Sequence, residues 1–295
     1  MPVVVKAMSG ERPILKIYGT DWETNEGTAI RDFIHVSDLD QGHIAALTDN
    51  EIASAKVVSI FSNSGQDRAI QITAHPNLNF IIILNPHNGP GSSPLPDEDY
   101  GREIRRLTAR PNVRTVGYVR INYCKRDVTT VYEEIVKYAG WSNDHSTTGW
   151  GVHGIFFDET PNLYSDKAAS YLEIASQTVK ATPGILGDRM VIHNPGTVPD
   201  ARLAEPGPDV TTVLEEPYKK YRSAALQERL STLLPYDRPR CSYMVHSVPR
   251  EKVKELVFEL RCRGEFLFVT DQRCHFYTRF GSSWSDFIEA MEIEC

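Results

Sequence analysis

Cysteine is scarce and scattered in this chain. The five cysteines, Cys124, Cys241, Cys262, Cys274 and Cys295, form no CxxC pair. An odd count at irregular spacing builds neither a disulfide framework nor a thiolate zinc site. Cys241, Cys262 and Cys274 could pair in an oxidising compartment; ordinary thiols are the plainer reading. Long apolar runs are missing too. The longest is Phe80–Leu84, far below the ~20 residues a membrane helix needs. The opening MPVVVKAMSG is apolar over only a few residues and lacks a signal-peptide core. No membrane segment and no secretory route are therefore expected, and localisation stays open. Clustered positive charge is also absent. The formal net charge is −7 and no dense Lys/Arg run occurs, which argues for a solvated acidic surface and against nucleic acid as a partner. There is no HxxxH pair for a metal and no Gly-rich phosphate turn of a doubly wound sheet. Neither a metal nor a cofactor is expected.

What is present is a globular mix, 41% hydrophobic and 24% charged over 295 residues, enough for one large barrel or two ordinary domains. Short apolar, β-branched runs bounded by turn residues predict strands at 56–61 (KVVSIF), 79–84 (NFIIIL), 114–119, 153–157, 189–193, 210–214, 242–246 and 265–269. Helical periodicity falls between them. It predicts helices over 97–110, 127–138 with Asp127 as cap, 166–180, 251–262 and from about 285. In the second of these, Val128, Val131, Tyr132, Ile135 and Val136 read as one core-facing set.

Strand–helix alternation over most of the chain implies a parallel sheet, and near-continuous apolar strands imply burial on both faces. With about eight units, a (β/α)8 TIM-like barrel is the economical fold, preceded by a short non-barrel N-terminal extension. The expected division is 1–50 and 51–295. In such barrels the active site lies at the C-terminal ends of the strands. Those ends carry Asn85, then Tyr118 and Arg120 with Tyr123 just beyond, Asp158 and Glu159, Asn194, Glu215 and Glu216, His246, and Asp271.

Several carboxylates facing one cleft suit glycosidic bond cleavage. One must be protonated to help the leaving oxygen depart, and another must be ionised to attack the sugar or stabilise a cationic transition state. Crowding pushes their pKa values apart, which allows that division. Each residue also has a structural reading. Asp158 or Glu159 could cap the next helix or pair with Arg120. Side chains alternate along a strand, so two adjacent acids should not point the same way unless the strand has already turned. One of Glu215 and Glu216 should be a surface residue. His246 could be a satisfied hydrogen bonder, and Asn85 and Asn194 precede prolines, where a turn role is natural. Trp141 and Trp150 could stack on sugars or anchor the core.

The ordered set IIILNPHNGPGS with DEDY, NVRTVGYVRINY, GIFFDE, VIHNPG, VLEEPY and LFVTD resembles the spherulation-specific family 4 proteins, which include the fungal glycoside hydrolases of family 135. The resemblance covers roughly 56–295. It implies a (β/α)8 barrel that cleaves an amino-sugar exopolysaccharide, galactosaminogalactan-like, within the chain at N-acetylgalactosamine linkages. The alternative is a non-catalytic carbohydrate-binding protein on a degenerate barrel. The family's Asp–Glu pair falls on Asp158 and Glu159, and its Glu-x-x-Tyr falls on Glu215 and Tyr218, with Glu216 leaving that placement open by one. Asn85, Tyr118, Arg120, Tyr123, Asn194, Tyr218, His246 and Asp271 are the expected substrate-binding set. The chain departs from the family in lacking the usual apolar-Tyr motif at the end of strand one and the Trp shortly after it. A polysaccharide substrate and a monomeric state are expected. The stretch LKIYGTDWETNEGTAIRDFIHVSDLDQGHIAAL resembles part of UDP-galactose 4-epimerase, without that family's GxxGxxG turn or Tyr-x-x-x-Lys pair. It is expected to be a poorly packed remnant.

Overall fold

Eight parallel strands, hydrogen-bonded in sequence order, close into one barrel in a computed structural model of the chain. The structure describes residues 56–61, 72, 74–204, 207–233, 235–274, 276–277 and 280–293. The chain divides into two units, Met1–Ala46 and Leu47–Cys295. The barrel belongs to the second. The expected epimerase-like remnant lies outside the described residues.

The strands are β1 (Lys56–Phe61), β2 (Asn79–Leu84), β3 (Val113–Arg120), β4 (Gly154–Asp158), β5 (Met190–Asn194), β6 (Val210–Pro217), β7 (Cys241–His246) and β8 (Phe266–Val269). Pairing of Lys56 with Phe266 and of Val57 with Leu267 seals the ring. Most boundaries fall within one residue of expectation. The exception is β6, which continues three residues further, to Pro217. A closed ring of parallel pairing has no free edge, which removes the aggregation hazard of unpaired strand groups.

The helices are α1 (Glu98–Thr108), α2 (Val128–Gly140), α3 (His145–Thr148), α4 (Asp166–Ala181), α5 (Tyr218–Tyr221), α6 (Ala224–Leu230), α7 (Val253–Arg261) and α8 (Trp284–Glu292). Short polar side chains start the longer ones. Asp97 accepts from Tyr100 N, Asp127 from Thr129 N and Ser165 from Ala168 N. Each satisfies a backbone donor that the first helical turn leaves unpaired. The helix expected from Glu251 begins as a 3₁₀ turn at Arg250–Lys252 and becomes α-helical at Val253. The apolar set expected on α2 is too wide. Val131, Ile135, Tyr138 and Ala139 are buried, whereas Val128, Tyr132 and Val136 are exposed. Tyr132 and Val136 each follow a core position by about 100° of rotation, which turns them off the barrel.

Alternation along the strands sorts two hydrophobic clusters. Ile81, Ile83, Val116, Tyr118, Phe156, Met190, Ile192, Val210 and Phe266 fill the barrel interior. Phe80, Ile82, Leu84, Val119, Ile155, Phe157, Val191, Val213 and Leu214 point outward and pack with the helices in a second cluster. Full burial of one such side chain contributes about 1.5–3 kcal/mol. Gly117 sits on the outer face of β3 because the Tyr138 ring lies against it; a Cβ there would come within 2.6 Å of the ring. Tyr138 in turn donates its hydroxyl to the Leu84 carbonyl, at 2.9 Å. This contact ties α2 to the strand next to the one that carries Tyr118.

Candidate active site

The site grows out of the inward-facing positions at the C-terminal ends of β3 to β6. Phe156 faces the interior, so Asp158, two residues later, faces it as well. Its carboxylate accepts two hydrogen bonds: from the Tyr118 hydroxyl of β3 at 2.6 Å and from Asn194 Nδ2 of β5 at 2.8 Å. Burial, first of all, and the charge of Asp158 raise the Tyr118 phenol well above its ordinary range. Tyr118 is therefore a fixed hydroxyl donor.

Glu159 escapes the alternation rule by turning the chain. Its φ is +54°, in the left-handed region that an L-residue enters at a cost. The turn is held by backbone bonds. Ile121 N donates to Asp158 O and Tyr123 N donates to Glu159 O, at 3.0 and 2.7 Å. The Glu159 carboxylate then meets the Arg120 guanidinium, with Nε 2.8 Å from Oε2. Arg126 steadies this corner. It donates to the Arg120 carbonyl and is clamped by Glu134 at 2.6 Å. Both readings of this acid pair therefore coexist, with an ion pair at Glu159 and an inward carboxylate at Asp158. The loop that follows β3 is itself unusual: Asn122, Tyr123 and Cys124 all have positive φ. Strain of this kind collects at functional sites.

On β6 a bulge decides which acid faces inward. The register with β7 runs Thr211 to Cys241 and Thr212 to Ser242, then jumps to Leu214 opposite Tyr243 and Glu215 opposite Met244. Without the inserted residue, the alternation from Val210 would send Glu216 inward. With it, Leu214 joins the outer cluster and Glu215 turns in, a common use of a bulge beside a site. Glu216 instead pairs with Lys220 of α5. Glu215 is half-buried, and its desolvation pushes its carboxyl up to about 7. The Asn194 hydrogen bond works the other way, while the charges of Asp158 and Glu216 add to the rise.

Asn194 joins the two acids. The same Nδ2 group lies 2.8 Å from Asp158 Oδ1 and 2.7 Å from Glu215 Oε2. The two hydrogens of an amide nitrogen point about 120° apart, so the two carboxylate oxygens sit roughly 5 Å from each other.

The other candidates are placed differently. Asn85 accepts from Gly89 N at 3.0 Å and shapes the loop after β2. Tyr123 is exposed at the mouth, with the Lys125 ammonium 6.0 Å from its ring. Tyr218 packs against the outer core, and the Arg222 guanidinium lies 5.2 Å from its ring. His246 stacks on Phe276 at 4.3 Å and pairs with the Ser247 hydroxyl. Burial keeps its imidazole below its ordinary range. Asp271 is engaged by Ser282 and Ser283, in front of α8. Trp141 is a core residue, and Trp150 donates to the Gly101 carbonyl at 2.8 Å. Two residues were not anticipated: Phe276, over His246, and Tyr277, which packs on the interior cluster. An aromatic pair a few residues beyond a strand end was the available signal. Among the described residues, no group of three or more His, Cys, Asp or Glu could hold a metal ion, and no helix is long and apolar enough to cross a membrane.

The spherulation-specific family 4 model matches residues 66–291. The chain belongs to that family. The crystal structure of Aspergillus clavatus Sph3 in complex with GalNAc is 34% identical to it. That match covers 81% of this chain and 98% of the Sph3 chain, with a TM-score of 0.75. This chain therefore shares both sequence and barrel with a protein that holds a GalNAc. Its N-terminal part is similar to something else. A UDP-glucose 4-epimerase of Dictyostelium discoideum is 44% identical over 72 residues, and one of Oryza sativa subsp. japonica is 57% identical over 47. The matched stretches span 20% and 13% of those epimerases. They cover 24% and 16% of this chain.

Proposed function

We propose that this barrel is a glycoside hydrolase that cleaves an amino-sugar exopolysaccharide of the galactosaminogalactan type within the chain, at N-acetylgalactosamine linkages. The observation that carries the reading is the pairing of Asp158 and Glu215 across one amide group, with desolvation raising Glu215 so that it holds a proton near neutral pH. The GalNAc held by the Sph3 relative supports the choice of sugar.

The roles follow from the surroundings of each acid. Glu215 supplies its proton to the departing glycosidic oxygen. Asp158, with two donors aimed at its oxygens, is set up as the anion. It either attacks the anomeric carbon or orients the sugar's own N-acetyl carbonyl to do so. Water then attacks from the side the leaving group vacated, and its proton returns to Glu215. A separation of roughly 5 Å leaves no room for a water between acid and nucleophile, and it favours retention of anomeric configuration. Glu159 and Arg120 lie at the partly exposed margin and are assigned to holding the substrate. Tyr123 is assigned the same task at the mouth.

The test is reducing-end release from a partly deacetylated galactosamine polymer by the full chain, with Glu215→Gln and Asp158→Asn as controls. Cleavage by the wild type and its loss in both variants supports the proposal. Saccharide binding with no reducing ends released by the wild type would assign the barrel to carbohydrate binding alone.

A further inference from the structure

We propose that Asn194 is a positioning residue that clamps Asp158 and Glu215 at one separation and shares a single amide group between them, so that the two acids act as a coupled unit. This rests on the glycosidase reading of the site. An asparagine at a strand end beside a sugar pocket would ordinarily be taken for a sugar ligand. The hydrogen bonds around Asn194 point to a different task. Its side chain is buried, and both amide hydrogens are committed, one to each carboxylate. Its Oδ1 accepts from Gly196 N at 3.1 Å, and a backbone N–H can only donate. That contact fixes which end of the amide is oxygen and aims the nitrogen at the acids. No donor is left for a sugar.

The turn that aims the amide also places Glu215. Gly196 takes φ +66°, a conformation that suits glycine. Its carbonyl accepts from Glu215 N at 3.0 Å, and Thr197 bridges to Leu214 next to the β6 bulge. On the other side, the Asn194 carbonyl accepts from Thr160 N at 3.1 Å, just after the Asp158–Glu159 pair. Asn194 thus ties β4 to β6 through its side chain, while its own carbonyl secures the β4 side and that of Gly196 the β6 side.

Few other charges bear on Glu215. Asp158 faces it from β4, with the Tyr118 phenol of β3 behind Asp158. Glu216 is its neighbour on β6 and is paired with Lys220. On β7, Met244 lies opposite it in register and His246 lies one layer above. Asp271, beyond β8, is held by its two serines. Of these contacts only the Asn194 donor stabilises the charged form of Glu215; Asp158 and Glu216 oppose it. Removing the donor must move the Glu215 titration upward.

The decisive experiment pairs ¹³C-carboxyl NMR titration of Glu215, assigned through Glu215→Gln, with the pH profile of polysaccharide cleavage. Wild type, Asn194→Ala and Asn194→Asp would be compared. Asn194→Asp keeps an acceptor for Gly196 N–H but places a third carboxylate between the two acids, whereas Asn194→Ala removes the donor and adds no charge. If Asn194 merely held the turn, only Asn194→Asp would raise the Glu215 midpoint, through its added charge. The expected result in both variants is a Glu215 midpoint raised by about one unit and an alkaline limb of kcat moved in the same direction. A kcat reduced about 100-fold with KM within about threefold is expected alongside. An unmoved midpoint in a folded Asn194→Ala overturns the clamp, as does wild-type kcat in that variant. If Asn194→Ala fails to fold, Asn194→Ser, which adds no charge and is too short to bridge both acids, decides in its place. If the wild type cleaves no polymer, the glycosidase reading fails, while the titration still decides whether the clamp exists.

Discussion

Two strand ends carry adjacent acids, and the fold treats them in opposite ways. At β4 the chain turns left-handed at Glu159, so Asp158 points into the barrel while Glu159 stays at the margin on Arg120. At β6 a bulge before the acids shifts the alternation, so Glu215 points inward and Glu216 is turned out to Lys220. The first device keeps both acids near the site; the second keeps one and discards the other. The difference shows in their surroundings. Each of the four carboxylates has a hydrogen-bonded or ionic partner. At Glu215 the partner is a single neutral amide, and desolvation drives the carboxyl up to about 7. Backbone geometry alone can thus decide which of two adjacent acids faces the barrel.

The largest test of this comparison is Glu215→Gln against Glu216→Gln. Loss of a general acid costs about 10²–10⁴-fold. Glu215→Gln is expected to fall by that much in polysaccharide cleavage, whereas Glu216→Gln stays within about twofold of wild type, because its partner is a surface lysine. Equal losses would remove the bulge from the argument. The β4 pair should be graded differently. Asp158→Asn is expected to lose activity on the same scale as Glu215→Gln. Glu159→Gln, which weakens only the Arg120 contact, should lose about tenfold, mainly through KM.

The burial of Glu215 has a cost that can be measured without substrate. Its carboxyl sits near 7 in the folded chain, above the unfolded value of about 4.3. The folded state therefore binds the proton more tightly. This stabilising contribution is complete below about pH 4 and is lost as pH rises through about 7. At pH 8 the ionised wild type should be less stable relative to Glu215→Gln by about 3 kcal/mol, a difference that disappears near pH 4. Denaturant unfolding of the two proteins at both pH values checks it. Glu216→Gln should show no such pH-dependent gap. With Glu215 in the proposed role of general acid, kcat/KM is expected to decline as pH passes about 7.

The strands were legible because each is a short run of Val, Ile, Leu and Phe whose burial on both faces leaves little other reading. Asp97 and Asp127 were legible as caps for an equally local reason. What was not legible depends on contacts between distant residues. Nothing in VTTVLEEP marks Val213 as an inserted residue, since the bulge exists only against Ser242 and Tyr243 of β7. Without it, the choice between Glu215 and Glu216 could not be made. The positive φ of Glu159 is hidden for the same reason, being held by backbone groups of the loop after β3. Asn194 was visible as a strand-end polar residue, but its task depends on three other segments. On α2 the error was one of angle: a set containing both Val131 and Tyr132 spans too much of the helix to be a single face.

Asp271, at the end of β8, supplies the smallest contrast. It too is an acid just past an inward-facing strand, yet its charge is engaged by the fold around it. Burial works against the ionised form, but hydrogen bonds from Ser282 and Ser283 outweigh it and hold the carboxyl below its ordinary value. Ser283 is itself fully buried; its hydroxyl lies 3.0 Å from Asp271 N and 3.1 Å from Asp271 Oδ1, and its carbonyl accepts from Phe287 N in the first turn of α8. The acid therefore docks α8 on the barrel. Its stabilising contribution is present above the unfolded value near 3.9 and is lost as pH falls through the lower folded value. Ser283→Ala should lower stability by about 1 kcal/mol, read as a shift of a few degrees in Tm. Turnover of polysaccharide by Ser283→Ala should match wild type at temperatures where it is folded. A loss of turnover without a loss of Tm would move Asp271 from the scaffold into the site, and the division between acids that work and acids that hold would have to be redrawn.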